Sequence, residues 1–178
     1  WDKPSTADPF AAFKTVKDAI RSKTGTELTV SIMNSYTFNL LAKTDAVKNR
    51  YLTTNGLSLG YLTDAEVKAV VESTSGLRIA IYDKQFRDED KVAHAFVPNG
   101  YVCLIPDGAL GSTWYGTTPE EADLQGASGA EVSIVNTGVA ITRILQEHPV
   151  NINTFASEIV LPSFERMDEV AVLNVLGE

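Results

Sequence analysis

Only one cysteine, Cys103, and two histidines, His94 and His148, occur in the 178 residues. A lone thiol cannot close an intrachain disulfide and suits a reducing compartment. Three thiol or imidazole ligands are also too few for a four-coordinate structural zinc site. Apolar runs are short, far from the ~20 residues needed to span a bilayer, so no membrane partner is expected. The start of the chain lacks a basic stretch followed by an apolar one, so no signal peptide is expected either. Basic stripes are missing too. Lys14, Lys17, Arg21 and Lys23 are scattered singly and the formal net charge is −8. Proteins that grip nucleic acid directly line up cations against phosphates, so direct sequence-specific nucleic-acid binding is not expected.

What is present belongs to an ordinary globular chain, 44% hydrophobic and 21% charged. Asp8-Pro9 is a helix start, and Phe10, Phe13, Val16 and Ile20 follow at helical spacing up to Gly25, which predicts a helix over about 9–23. Leu28 to Met33 reads as a strand, and a second helix opens near Asn34 or Ser35 with Phe38, Leu41 and Ala42 on one side. Residues 52–62, rich in Gly and Thr, read as a loop or short hairpin. Thr63 and Glu66 form a capping box for a third helix that buries Val67, Val70 and Val71 and stops at Gly76. Leu77, Ile79 and Ile81 alternate as a half-buried strand. A charged turn at 83–91 precedes strands at about 92–97 and 101–105, joined by Pro98-Asn99-Gly100. From Asp107 to Ala130 the chain reads as irregular. Strands near 131–135 and 138–145, a short helix near 152–160 and a last strand from Val170 to Leu176 complete the pattern. Helices and strands interleave without a regular βαβ rhythm, which places the chain in the α+β class.

Each motif suggestive of chemistry has a plainer reading. Gly111 and Gly116 followed by Thr117-Thr118 resemble a phosphate-binding loop, but the lysine is missing and Trp114 and Tyr115 are too bulky for a backbone cradle. Lys23-Thr24-Gly25 matches three residues of penicillin-binding enzymes without their other motifs, and fits a helix end. Asp83, Asp88, Glu89 and Asp90 are acidic, but an EF-hand loop begun at Asp83 would need Gly where Asp88 stands and Glu where His94 stands. Cys103 and His94 fall on neighbouring predicted strands and form the one candidate thiol pair. A nucleophilic thiol needs exposure and a base, however, and Tyr101-Val102-Cys103-Leu104-Ile105 reads as buried. His148 precedes Pro149 at a turn. No catalytic, cofactor-binding or metal site is assigned, and the expected role is structural.

Leu104 to Glu121 (LIPDGALGSTWYGTTPEE) carries a different signal. Leu110, Gly111, Thr113, Tyr115, Gly116, Thr118, Pro119 and Glu120 resemble a segment of the lambda-like major capsid proteins of tailed bacteriophages, the capsid protein E family. Trp1-Asp2 with Asp8-Pro9, then Leu77 to Asp83, the Pro-Asn-Gly turn, and Glu158 to Val175 with Leu161-Pro162 are similar to that family in the same order. The resemblance covers almost all of the chain.

That resemblance implies the tailed-phage capsid fold, with a peripheral lobe at 1–26 plus 156–178 and an axial lobe at 27–155. On this view Phe10, Phe13, Val16 and Ile20 find an apolar partner in Val170, Val172 and Val175. The implied function is a subunit of an icosahedral phage or prophage head, assembling into pentamers and hexamers around the genome. The implied partners are copies of the chain and scaffold, decoration or portal proteins. Its place would be the virion, and the host cytoplasm before assembly. The family's N-terminal arm and long hairpin have no counterpart before Trp1. Because the first residue is not Met, that start is expected to come from processing, cloning or cleavage. The alternatives are a decoration or tail protein, and a small thiol hydrolase using Cys103 and His94.

Overall fold

The computed structural model describes residues 1–55, 62–123 and 130–176. The chain packs as two compact units, Trp1–Gly108 with Met167–Glu178, and Ala109–Arg166.

The first unit opens with α1 (Pro9–Thr24), capped as expected: Asp8 Oδ1 accepts from Ala11 N at 3.0 Å, and Gly25 closes the helix in the left-handed region. β1 (Leu28–Met33) follows, then α2 (Ser35–Lys43), started by Asn34, whose Oδ1 accepts from Thr37 N at 2.8 Å. Extended backbone at the buried Thr44 separates α2 from α3 (Asp45–Asn55). Helix α3 was not anticipated, and it takes part of the expected 52–62 loop; residues 56–61 lie outside the described residues. Its sequence, DAVKNRYLTTN, carries almost no apolar stripe, and among its described side chains Val47 is the one in the buried core. Helix α4 (Asp64–Ser75) has the anticipated capping box: Thr63 N donates to Glu66 Oε2 at 2.8 Å while Glu66 N donates to Thr63 Oγ1.

β2 (Arg78–Ile81) pairs parallel with β1. β3 (Gln85–Arg87) and β4 (Ala93–Ala95) form a small hairpin. β5 (Tyr101–Pro106) runs antiparallel to β1 on one side and to the last strand, β11 (Ala171–Asn174), on the other. The main sheet is therefore β11-β5-β1-β2. The Pro98-Asn99-Gly100 turn does not join a hairpin as expected, because β4 pairs back to β3 and leaves β5 to the main sheet.

Helices and sheet enclose one core. Phe13, Leu28, Met33, Phe38, Leu41, Val67, Val71, Leu77, Val102 and Leu104 are its enclosed side chains, with Trp1 set edge-on to Phe13 at 5.5 Å between ring centres. Phe10, Val16 and Ile20 pack against it half-buried. Of the terminal residues expected to face α1, Val175 joins the core and Val172 stands exposed on the other side of β11.

The second unit holds β6 (Gly111–Tyr115), α5 (Pro119–Asp123), β7 (Ala130–Asn136), β8 (Val139–Glu147), β9 (Val150–Glu158) and β10 (Val160–Phe164). β6 pairs antiparallel with β10, and β7-β8-β9 form an antiparallel meander. Strand β6 and helix α5 occupy part of the stretch read as irregular, of which 124–129 lie outside the described residues.

The short helix expected near 152–160 is a strand instead. Ile152, Phe155, Ala156, Ile159 and Val160 do recur at helical spacing, yet β9 is paired with β8 along its whole length, from Val150↔Glu147 to Glu158↔Val139. Asn151, Asn153 and Thr154 are poor helix formers, and the two-residue His148-Pro149 turn commits the chain to a hairpin. The expected lobe boundaries fall elsewhere than the gap between compact units. One at 26/27 would part α1 from β1 inside the first unit, and one at 155/156 lies within β9.

Candidate assembly surface

The second unit is built from residues that ordinarily form a core, yet it covers few of them. Among its described residues Ala140 is the one buried hydrophobic side chain, alongside the buried Thr118 and Thr142. Val150 is 83% exposed, Leu161 66% and Trp114 62%, and Tyr115, Val135, Leu145, Ile152, Phe155, Val160 and Phe164 are exposed as well. Single exposed hydrophobic residues are common; so many on neighbouring strands make this a candidate interaction surface.

Local chemistry explains how such strands hold their geometry without a core. β6 and β10 approach so closely at Gly111 that a Cβ there would lie 1.9 Å from Ser163 O. Gly116 N donates to Ile159 O at 3.0 Å and extends that pairing past β6. Gly138 turns β7 into β8 at positive φ, with a would-be Cβ 3.0 Å from Tyr115 Cβ. Thr118 accepts from Glu121 N at the start of α5, and Ser157 Oγ donates to Glu120 Oε2 at 2.8 Å. Within the Leu110–Glu120 motif Gly111 and Thr113 thus act as strand residues, Gly116 extends the pairing and Thr118 caps α5. The segment that resembled a phosphate loop is a paired strand followed by a one-turn helix.

The candidate thiol pair is not assembled. Cys103 lies on β5 in the main sheet, while His94 lies on β4 in the separate hairpin, where Nε2 meets Asp88 Oδ2 at 2.7 Å and the ring stacks on Phe86. Cys103 is half-buried rather than fully enclosed, since it faces away from Val102 and Leu104, and burial pushes its thiol pKa up. A raised pKa leaves less thiolate, the reverse of an activated nucleophile.

Two of the acidic residues weighed as calcium ligands, Asp83 and Asp88, have structural partners. Asp88 accepts from His94 and from Val92 N, which holds its carboxyl below the usual value, the His94 bond contributing most. Asp83 accepts from the Ser35 hydroxyl and, at 2.8 Å, from Ser35 N, with the same direction of shift. Among the described residues no group of three His, Cys, Asp or Glu side chains is placed to hold a metal ion. Lys23-Thr24-Gly25 is the end of α1. An open groove beside α1 is lined by Phe10, Lys14, Lys17, Arg21 and Glu27, with Lys17 Nζ already donating to Ser75 O at 2.9 Å. No helix among the described residues is long and apolar enough to cross a membrane.

The residues that sequence reasoning missed are the exposed ones of β8, β9 and β10. Their signal was the alternation Val150-Asn151-Ile152-Asn153, a period of two beside a Pro turn, masked by the longer helical spacing that overlaps it.

Comparison with known proteins gives this geometry a context. The sequence model of the family described as phage major capsid protein E matches residues 1–175. No curated protein sequence matches the chain. Among solved structures, a protein described as a prophage capsid protein of E. coli CFT073 is similar with a TM-score of 0.65 at 16% identity, over 98% of this chain and 49% of its own. A phage-related protein from Bordetella bronchiseptica RB50 is similar with a TM-score of 0.55 at 13% identity, over 97% of this chain and 51% of its own. The chain therefore spans about half the length of these structures, and the likeness at such identities is one of fold.

Proposed function

The chain belongs to the phage major capsid protein E family, and from that premise we propose that it forms part of a structural subunit of a phage or prophage head shell. The observation that carries this reading is the second unit's surface: an array of large apolar side chains on β6, β8, β9 and β10 that this chain leaves exposed. A shell subunit meets copies of itself on several sides, and symmetry multiplies contacts that are individually modest. Surfaces of this kind suit that use better than they suit a monomer in water.

In this reading the two compact units serve as the two lobes of the capsid fold, the partners are copies of the chain in rings of five and six, and scaffold, decoration or portal proteins are further neighbours. The protein resides in the virion, after a period in the host cytoplasm. Its contribution is mechanical and not catalytic. Family membership favours a shell subunit over a decoration or tail component, and the raised thiol pKa of Cys103 gives no support to a hydrolase.

Negative-stain microscopy and sedimentation of the gene product that contains this chain test the proposal. Rings or closed shells are the expected result. A product that stays monomeric at high concentration would contradict it.

A further inference from the structure

Asn-Gly occurs twice in the chain, at 55–56 and at 99–100, and the second pair lies wholly among the described residues. The pair is among the least durable in an ordinary polypeptide, because glycine's missing side chain leaves its backbone nitrogen open to the neighbouring asparagine. That nitrogen gives up its proton, bonds to the asparagine Cγ and expels ammonia. Water then opens the resulting succinimide ring to aspartate or isoaspartate.

In the folded chain the reacting atoms are held out of that geometry. Asn99 is exposed, but Gly100 is buried, with φ at 80°. Gly100 N donates to Thr37 Oγ1 at 2.9 Å, and Thr37 is fully enclosed. The electron pair that would attack lies along the N–H direction, and Thr37 Oγ1 occupies it. The side-chain amide is fixed as well, since Asn99 Oδ1 accepts from Asn34 Nδ2 at 2.7 Å. Asn34 Nδ2 also donates to Val97 O at 3.2 Å, and the Thr37 hydroxyl donates to Asn34 Oδ1 at 2.7 Å. The turn and the start of α2 thus share one hydrogen-bond network, whose members hold each other in place.

We propose that Asn99-Gly100 is a latent deamidation site, with water as its reagent, that Thr37 keeps unreactive in the folded chain. This goes beyond the shell-subunit reading and does not depend on it. Reaction would have a structural cost. Isoaspartate adds a methylene to the main chain just before Gly100, whose carbonyl accepts from Val175 N at 2.8 Å. Even a Cβ at Gly100 would lie 2.4 Å from Leu176 Cδ1, so the turn has no room to lengthen without releasing the residues that follow β11.

Mass spectrometry of the native chain in heavy-oxygen water at mildly alkaline pH, following ammonia loss and label uptake at residue 99, tests the proposal. The comparison is a synthetic peptide of residues 97–102. The native chain is expected to react about tenfold or more slowly than the peptide, because reaction requires a local opening that breaks buried hydrogen bonds. Thr37→Val, which keeps the shape and removes the hydroxyl, should raise the rate several-fold. Thr37→Ser, which retains a hydroxyl, should stay slow. A native rate equal to the peptide's would overturn the proposal, and so would a folded Thr37→Val chain that reacts as slowly as the unsubstituted one. Should Thr37→Val fail to fold, the unsubstituted chain in graded urea decides. Deamidation that rises in step with exchange of the Gly100 amide supports the proposal, and deamidation indifferent to that opening overturns it.

Discussion

Phe13, Phe38 and Leu104 in the first unit are fully enclosed, whereas Trp114, Val150 and Leu161 in the second are more than half exposed, though both units draw on the same classes of residue. In the first, helices α1–α4 cover the main sheet and the hydrophobic term supports the fold directly. In the second, strand pairing, tight glycine contacts and short turns set the shape, and the apolar surface is left over. Order and burial are therefore separable in this molecule. The unit that buries least is the one with most surface to offer a neighbour.

Core truncation should break the comparison most sharply. Phe13→Ala is expected to cost about 3–5 kcal/mol, the usual cost of emptying an enclosed aromatic site. Leu161→Ala, at an exposed position, should stay within about 0.5 kcal/mol in the unassembled chain. Urea denaturation followed by tryptophan emission measures both, because Trp1 packs against Phe13 while Trp114 lies in the second unit. Equal costs at the two sites would mean that Leu161 is covered in solution.

Gly111→Ala probes the second unit on its own terms. A methyl group 1.9 Å from Ser163 O forces β6 and β10 apart, and overpacking of this kind costs about 1–3 kcal/mol. The expected outcome is a loss of hydrogen-exchange protection in β6 and β10, with the transition reported by Trp1 unchanged.

Acid gives the smallest effect and sharpens the first unit's side of the comparison. Glu66, Asp83 and Asp88, all in that unit, have carboxyl pKa values held down: Glu66 by the Thr63 backbone bond above all, Asp83 by Ser35 and Asp88 by His94. With the folded value below the unfolded one, the unfolded chain binds more protons in the interval between them. The stabilisation is fully present above the ordinary carboxylate values of 4.5 for Glu and 3.8 for Asp, and is lost as pH falls through the lowered ones. Asp88→Asn should flatten part of the acid limb of a stability–pH curve measured by urea denaturation.

How far the fold could be read in advance follows the same division. In the first unit Asp8-Pro9, the Thr63–Glu66 box, Gly25 and Gly76 mark helix ends through local hydrogen bonding, and periodic apolar residues mark the buried faces. Those elements were legible because local and tertiary signals agree there. Helix α3 was not, since it lacks a stripe and depends on Val47 reaching the core. Among the described residues of the second unit little apolar surface is buried, so burial periodicity carried little information there, although β7 and β8 were read as strands. β6 and β9 depend on partners distant in sequence or on a turn. The motif from Leu110 to Glu120 pointed to the family through residues that set strand approach and capping. The exposed side chains of β9 from Ile152 onward stood inside a segment, 152–160, whose spacing mimics a helix.

Hydrogen exchange on the isolated chain and on assembled particles, compared strand by strand, tests the central claim most directly. The account predicts that β1, β5 and α4 exchange slowly in both states, and that β8, β9 and β10 exchange fast in the isolated chain and slow by orders of magnitude on assembly. Equal protection of β8–β10 in both states would contradict it, because the exposed apolar surface would then have no part in holding the shell together.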